Sequence, residues 1–497
     1  MKLNQKQAGG SEKVWWVISS LLKFDSILIS GTSTDTAFTS AQKTGVKIVK
    51  IDRIELYYVK IPLEDKKPGF FTQPAYFSPS WIPGFRQSEV RFYLLKLGTD
   101  TGLEGVAATV GMSTERNGLG PMLGNYLMGL NPLDIRLMNQ RIQEFSYIGM
   151  RNSWIDGAIW DIIGKSRNEP LWQVLGGSGG NISPYMSTGE NHDHHQEKAR
   201  ELSASAQKQG YKGIKLRVKG MNLGKMVDYV GAARDQVGPD MKIMVDANQG
   251  WPVDLIDETP KWDVPFATKF AKGLEPYNVY WLEEPLNRGN FEGLAELRKN
   301  TETPIAGGEL NSSWRDFKAM LDIGSLDIYQ PDAVMAGGTY AGGISNVYWL
   351  IKEIQKRNLE NQSDRVKFCP HTWTTGLGFA IALHLVGVIP EEERSLLEYP
   401  LEGNWTADVW ARFIKGGFPR DAEGNIKIPD GPGLGIEIDW DIIHRFGKRI
   451  YKGTSTTVSI SALKDRGLKQ ALYLKKKKSE QFKRSAQAEF NVPEPPF

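Results

Sequence analysis

Eight short, mostly apolar segments recur through the chain from about residue 180 to residue 400, each separated from the next by enough residues for a helix. They are SPYMSTG, GIKLRVK, IMVDANQG, YWLEEP, TPIAGGE, DIYQPDAV, VKFCPHT and LLEYP. Each ends in polar, Gly or Pro residues, and the intervening stretches, such as HQEKARELSASAQKQG and NFEGLAELRKN, permit helices. Repeated alternation of this kind requires a parallel sheet with right-handed crossovers. Eight units over about 220 residues suit closure into a barrel, which places its chemistry at the C-terminal ends of the strands.

Those ends carry acids. Asp246 closes IMVD, Glu283 and Glu284 sit in WLEEP, and Glu309 follows PIAGG. Acids at strand ends are poorly placed for a core, and three of them, each one βα unit from the next, meet on one rim of a closed barrel. Three converging hard oxygen ligands predict a Mg²⁺ site. Lys215 and Arg217 lie one unit upstream and, two apart on a strand, both face inward. Buried cations need partners, which an anionic substrate beside a metal would provide. Arginine keeps its proton, so Arg217 is a poor base and reads as an electrostatic or substrate-binding group. Asp332 and His371 lie on later units, where a carboxylate orienting an imidazole would make a general base. Asn248, two after Asp246, is expected to face the same way and to bind substrate or a metal-bound water.

The rest of the chain divides by texture. Residues 1–45 form a leader rich in Ser, Thr and Lys, expected to be poorly ordered or a docking piece. Its apolar stretch Val14 to Ile29 is broken by Lys23 and Asp25 and is too short to span a bilayer. Residues 46–175 read as an α+β capping module. KIVKIDRIELYYVKIPL and VRFYLLKLGTD are strands, GLEGVAATV is a hairpin partner, and helices follow, with WIDGAIWDIIGKSRNEPLWQVLGG spaced for helical packing until Gly176 and Gly177. A loop over about 64–87 holds Phe70, Phe71, Tyr76, Phe77, Trp81 and Phe85. The barrel occupies 176–406, a turn-rich segment over 407–450 packs back on the capping module, and 451–497 is a basic, weakly ordered tail with one short helix near Leu463 to Leu474. The 61 basic and 58 acidic residues leave a net charge of only +3, so nothing in the bulk charge points to nucleic acid. Cys369 alone forms no internal disulfide, which fits a reducing cytoplasm while leaving an exported form open.

Taken in order, GIKLRVK, VDANQG, WLEEP, PIAGGE, QPDAVMAGG, PHT and LEYP resemble the enolase superfamily, in its mandelate racemase and muconate lactonizing enzyme branch. The likeness covers about residues 46–450. It implies an N-terminal α+β capping domain on a modified TIM barrel, (β/α)7β, and abstraction of a proton α to a carboxylate with the enediolate held on Mg²⁺. It implies that Glu283, rather than Glu284, is the third metal ligand beside Asp246 and Glu309. On a strand Glu284 would point the other way. It also implies that Lys215 contacts the substrate carboxylate, that Asp332 and His371 are a catalytic dyad, and that Glu398 in LLEYP hydrogen-bonds the substrate carboxylate when protonated, burial raising its pKa. The position of Arg217 is often a lysine base in this family, so the chain departs from the commonest pattern there. The aromatic loop aligns with the segment that closes over substrate, and Thr188, His192 and Trp373 are expected to read the substrate. The clustered His192, Asp193, His194 and His195 could bind a second metal or touch substrate, but read more simply as exposed loop residues or a helix N-cap around Asp193.

A single good base on one face favours dehydration over racemisation. The expected activity is Mg²⁺-dependent conversion of a sugar acid, an aldonate or aldarate, to a 2-keto-3-deoxy acid. A racemase or epimerase of an α-hydroxy or amino acid is the alternative within the family, and a non-catalytic sugar-acid binding protein the alternative outside it. The expected partner is a small-molecule carboxylate, with no nucleic acid and no membrane, and a homo-oligomer by analogy.

Overall fold

The computed structural model describes residues 49–63, 75–147, 151–311, 313–335 and 343–485. The leader 1–45, Phe70 and Phe71, and the end of QPDAVMAGG lie outside the described residues. Val49–Phe497 forms one compact unit.

The capping sheet begins with β1 (Ile51–Pro62), β2 (Glu89–Thr99) and β3 (Glu104–Val110), paired antiparallel in sequence order. Its apolar residues are buried, and α1 (Leu119–Leu127), α2 (Ile135–Ser146) and α3 (Asp156–Arg167) follow it. Helix α3 lies so close to β3 that a Cβ on Gly105 would sit 2.0 Å from the Ala158 carbonyl oxygen. The sequence reads as one helix up to Gly176, but α3 stops earlier. Asn168 takes a left-handed conformation (φ 54°), and Pro170, which cannot donate a helical hydrogen bond, restarts the chain as a separate short turn over Leu171–Val174.

The eight expected strands are all present: β4 (Pro184–Ser187), β5 (Gly213–Arg217), β6 (Lys242–Asp246), β7 (Trp281–Glu283), β8 (Ile305–Gly307), β9 (Ile328–Tyr329), β10 (Lys367–Phe368) and β11 (Leu397–Pro400). They form one parallel sheet in the order β10-β9-β8-β7-β6-β5-β4-β11, with seven helices in the connections, the (β/α)7β pattern. Strands β10 and β11 share no paired residues. Side chains bridge that seam instead: the Cys369 thiol donates to the Leu396 carbonyl (3.1 Å) and Thr372 Oγ1 to the Glu398 carbonyl (3.0 Å). Below the mouth, Tyr185, Met244, Trp281, Ala306, Ile328, Cys369 and Leu396 fill the interior as one apolar layer. The polar groups therefore collect above it.

The C-terminal region differs from the sequence expectation. Phe413 stacks on Phe92 of the capping sheet (4.5 Å between ring centres), but the chain does not fray at 450. Gly447–Thr454 is a fourth strand of the capping sheet, antiparallel to β1, and Ser455–Ser485 is a long helix kinked at Gly467 (φ 77°). Its Ala, Leu, Lys and Gln residues are good helix formers. Packing settles the rest: Lys478 donates to the Met128 carbonyl (3.4 Å) and Asn131 Nδ2 to the Ser485 carbonyl (3.1 Å). Among the described residues no helix is long and apolar enough to cross a membrane.

Candidate active site

Strands β6 and β7 end on Asp246 and Glu283, and Glu309 stands two residues beyond β8, after Gly308 at φ 111°. All three are buried, and one carboxylate oxygen from each lies within 4.8 Å of the other two. Glu309 Oε2 is buried without a hydrogen-bond partner. Burial pushes the Glu283 carboxyl up to about 7, with Lys215 opposing the shift and Asp246 adding to it. Three buried, mutually repelling carboxylates with a free oxygen match the donor set of a hard divalent cation.

Glu284 does not point away as a continuing strand would require. The strand ends at Glu283, and Glu284 takes φ 47°. Its carboxyl is buried with neither oxygen hydrogen-bonded, and burial, then Glu309, Asp246 and Glu283, raise its pKa well above the usual carboxylate range. It is a fourth acid beside the triad.

Lys215 and Arg217 both enter the barrel, as their spacing on β5 predicts. The Lys215 ammonium is fully buried among Glu283 (2.6 Å), Glu398 (2.7 Å) and Asp246 (3.4 Å). Burial alone would depress its pKa, but Glu283 and Glu398 outweigh that and raise it, so Lys215 is a poor candidate for a base. The Arg217 guanidinium pairs with Asp246, donates through Nε to the Thr188 carbonyl (2.7 Å), and lies against the rings of Trp81 and Trp373.

His371 Nδ1 and Asp332 Oδ2 are 2.8 Å apart, and Asp332 Oδ1 accepts from the backbone N–H groups of Val334 and Met335 (2.7 Å each). The dyad is thus held rigidly, and His371 Nε2 is left facing the triad, 3.4 Å from Glu309 Oε2. Burial works to depress the imidazole pKa. Glu309, the Asp332 bond and Glu398 overcome it and hold His371 at about 9.

Glu398 departs from expectation. Burial does act to raise its pKa, but Lys215, His371 and Arg217 prevail and hold it at about 2. It is an ionised acceptor, bonded by Lys215, Ser187 Oγ (2.8 Å) and the Thr372 N–H (2.8 Å). Asn248 is also at the site, though not by strand alternation. The strand has ended, and Asn248 at φ 47° donates its N–H to Asp246 Oδ1 (2.8 Å). Trp373 stacks with Phe77 and Trp405 and meets Trp81 edge-on, and its indole N–H donates to Ser187 Oγ (2.8 Å).

The histidine loop is less exposed than the sequence suggests. His192 pairs with Glu402, whose other oxygen accepts the N–H groups of Gly189 and Glu190 (2.7 Å each). His194 accepts the Lys219 N–H (2.9 Å) and packs edge-on to Tyr229, and burial lowers it to about 4. The following helix, α4 (Gln196–Lys208), is capped by His195 without a side-chain bond, so Asp193 is not its cap.

Three contacts escaped the sequence reading. Trp251 Nε1 donates to Glu309 Oε1 (2.7 Å), and Trp281 Nε1 (3.0 Å) and Gln330 Nε2 (2.9 Å) both donate to Glu283 Oε2. Trp281 stands two residues before Glu283 on one strand, so alternation alone could have placed it on the same face.

This geometry has known counterparts. Residues 74–176 match the family described as mandelate racemase / muconate lactonizing enzyme, N-terminal domain, and residues 197–442 the family described as enolase C-terminal domain-like. The chain belongs to the enolase superfamily, in its mandelate racemase and muconate lactonizing enzyme branch. It is 27% identical to a D-galactarolactone cycloisomerase of Agrobacterium fabrum, over 73% of this chain and 94% of the relative. It is 27% identical to an L-talarate/galactarate dehydratase of Salmonella typhimurium, over 85% of this chain and 99% of that one. The crystal structure of a 3,6-anhydro-D-galactonate cycloisomerase from Zobellia galactanivorans superposes with a TM-score of 0.63 at 26% identity, covering 80% of this chain and 99% of the other. Relatives of the chain include several sugar-acid dehydratases, a racemase and a cycloisomerase. The chain is an enzyme of this superfamily, which sets aside the binding-protein alternative.

Proposed function

We propose that this enzyme dehydrates a sugar acid, an aldonate or aldarate, to a 2-keto-3-deoxy acid, with Mg²⁺ held by Asp246, Glu283 and Glu309. The observation that carries the reading is the asymmetry of the bases. His371, oriented by Asp332, presents Nε2 toward Glu309 of the triad, whereas Asp246 is met by Arg217, which cannot accept a proton at neutral pH. Two-base racemisation needs a proton acceptor on each face.

A divalent cation at the triad would supply positive charge for the substrate's carboxylate oxygens. Lys215 lies beside that position and attracts the same carboxylate by charge, while Glu398, ionised and itself an acceptor, holds the Lys215 ammonium in place rather than binding substrate. The acids around His371 hold it at about 9 and so favour the imidazolium at neutral pH. With a cation at the triad opposing the effect of Glu309, the neutral imidazole is favoured, and its Nε2 takes the α-proton while Asp332 stabilises the imidazolium that results. The β-carbon to oxygen bond then breaks, and the proton on His371 leaves with the hydroxyl as water. The enol product tautomerises to the 2-keto acid. Phe77, Trp81, Trp373 and Trp405 cover the mouth and exclude water.

The test is a screen of purified protein with Mg²⁺ against aldonates and aldarates, detecting 2-keto acid with semicarbazide. Keto acid that disappears with EDTA and with His371→Asn supports the reading. Solvent deuterium entering the α-position without keto acid would replace it by racemisation or epimerisation.

A further inference from the structure

Two adjacent residues of the capping module reach the partners of one carboxylate. The segment 76–87 is docked on the barrel mouth by hydrogen bonds from the Ser80 N–H to the Gly189 carbonyl (2.7 Å), from Asn404 Nδ2 to the Tyr76 carbonyl (3.0 Å) and from the Ser78 N–H to Glu190 Oε1 (3.4 Å). It closes on itself through paired bonds between Phe77 and Gln87 (2.8 Å each way). From this platform Ser80 Oγ donates to Asn248 Oδ1 (3.2 Å), and Asn248 donates its N–H to Asp246 Oδ1 (2.8 Å). Next in sequence, the Trp81 ring lies 5.4 Å from the Arg217 guanidinium, and Arg217 Nη1 pairs with Asp246 Oδ2. Nη1 also reaches Asn248 Oδ1 (3.4 Å), so the two routes join.

Each oxygen of Asp246 is therefore tied, through one intermediate residue, to a different side chain of the docked segment. The cationic intermediate is Arg217, the residue at which this chain departs from the commoner lysine. A planar guanidinium lies flat on indole faces and holds its five donors in a fixed fork, whereas a lysine presents a compact charge with three rotatable donors.

We propose that Ser80 and Trp81 are positioning residues for the metal centre: docking of the segment orients both oxygens of Asp246, so that docking and cation binding strengthen one another. The inference rests on the assignment of the triad as the cation site. Coupling of this kind is reciprocal. Whatever factor docking contributes to cation affinity, the cation returns to docking.

The experiment measures Mn²⁺ binding to the full chain without substrate, by loss of the free-ion paramagnetic resonance signal. Trp81→Ala weakens binding about fivefold or more, the lower range of such couplings. Ser80→Ala weakens it through the other oxygen, by a smaller factor and with little risk to folding. Trp81→Phe, which keeps a ring face over Arg217, recovers most of the affinity, whereas a general loosening of the fold would not respond to ring replacement. The reciprocal readout is tryptic cleavage after Arg86, which is exposed in the segment. Mn²⁺ slows that cleavage in the wild type and not in Trp81→Ala. Wild-type affinity in both Ala variants, with binding lost in Asp246→Asn, overturns the coupling alone. Binding that is absent in the wild type, or unaffected by Asp246→Asn, overturns the metal assignment and the coupling with it.

Discussion

Lys215→Met removes one ammonium from among three buried carboxylates, at 2.6, 2.7 and 3.4 Å, and replaces it with a side chain of similar length. Glu398 reports the consequence most clearly. Its carboxyl is held at about 2, well below the ordinary 4.5 of a glutamate, with Lys215 the largest factor opposing burial. A folded pKa below the unfolded one stabilises the fold above the unfolded pKa, and that contribution is lost as pH falls through the folded value. The shift corresponds to about 3 kcal/mol at neutral pH, in line with the ~3–5 kcal/mol cost of removing one partner of a buried ion pair. With the ammonium gone, burial dominates and Glu398 moves above its ordinary value, so the destabilisation is greatest at high pH and shrinks toward pH 4.5. At an unfolding entropy of ~2.1 cal/mol/K per residue, the loss is roughly 3 °C in Tm at pH 8. Thermal melts of both proteins in EDTA, from pH 8 to pH 5, check it. A gap that is absent at pH 8, or constant across the range, refutes the reasoning that Lys215 serves chiefly to neutralise these acids.

His371→Asn lowers α-proton exchange in deuterium oxide by about 10²–10⁴-fold, the usual contribution of a general base. It also lowers the melting temperature below pH 9, since it removes a buried imidazole whose raised pKa, about 9, stabilises the fold until pH rises through the folded value. Gly105→Ala forces a Cβ to within 2.0 Å of the Ala158 carbonyl and costs about 1–3 kcal/mol, readable in urea denaturation. His384, fully buried between the Trp172 N–H and the Leu434 carbonyl, is depressed to about 4 by burial, as is His194. Both folded values lie below the unfolded value near 6.5, so their stabilisation is complete above that pH and is lost as pH falls toward 4. Melts at pH 7 and pH 5 compared with those of His384→Gln measure it, and the variant shows the shallower decline. Asp156, which accepts the N–H groups of Ile344 and Ser345 (3.0 Å each), is raised by burial to about 7. Its contribution runs the opposite way and falls as pH rises through 7, and Asp156→Asn removes that slope.

The barrel and its rim of acids were legible because two periodicities carry them. A strand that ends in Asp246 or Glu283, preceded by apolar residues and followed by Gly or Pro, declares its own direction and its own mouth. Closure of eight such units then brings acids far apart in sequence to one place. The inward pair Lys215 and Arg217 followed from strand alternation in the same way. Alternation failed just past the strands: Glu284, on left-handed backbone, stands beside the triad instead of pointing away, and Asn248 reaches the expected site through a left-handed residue rather than by an extended chain. The terminal strand and helix were missed for a different reason. A lysine-rich segment carries no hydrophobic periodicity of its own, and its order comes from an edge on β1, an acceptor at Met128 and a donor at Asn131 that lie more than 300 residues away.

What the sequence by itself determined is therefore the fold class, the identity of the polar groups and the strand ends from which they project, since these depend on local period and turn chemistry. Tertiary structure alone decided which charge each group holds. Glu398 is held at about 2 while Glu284 is raised well above the ordinary carboxylate value, though both are buried acids in the barrel, because the first has Lys215 in contact and the second is governed by burial and by Glu309, Asp246 and Glu283, with Lys215 a weaker opposing charge. Burial and distance set that difference, and neither is written in the order of the residues.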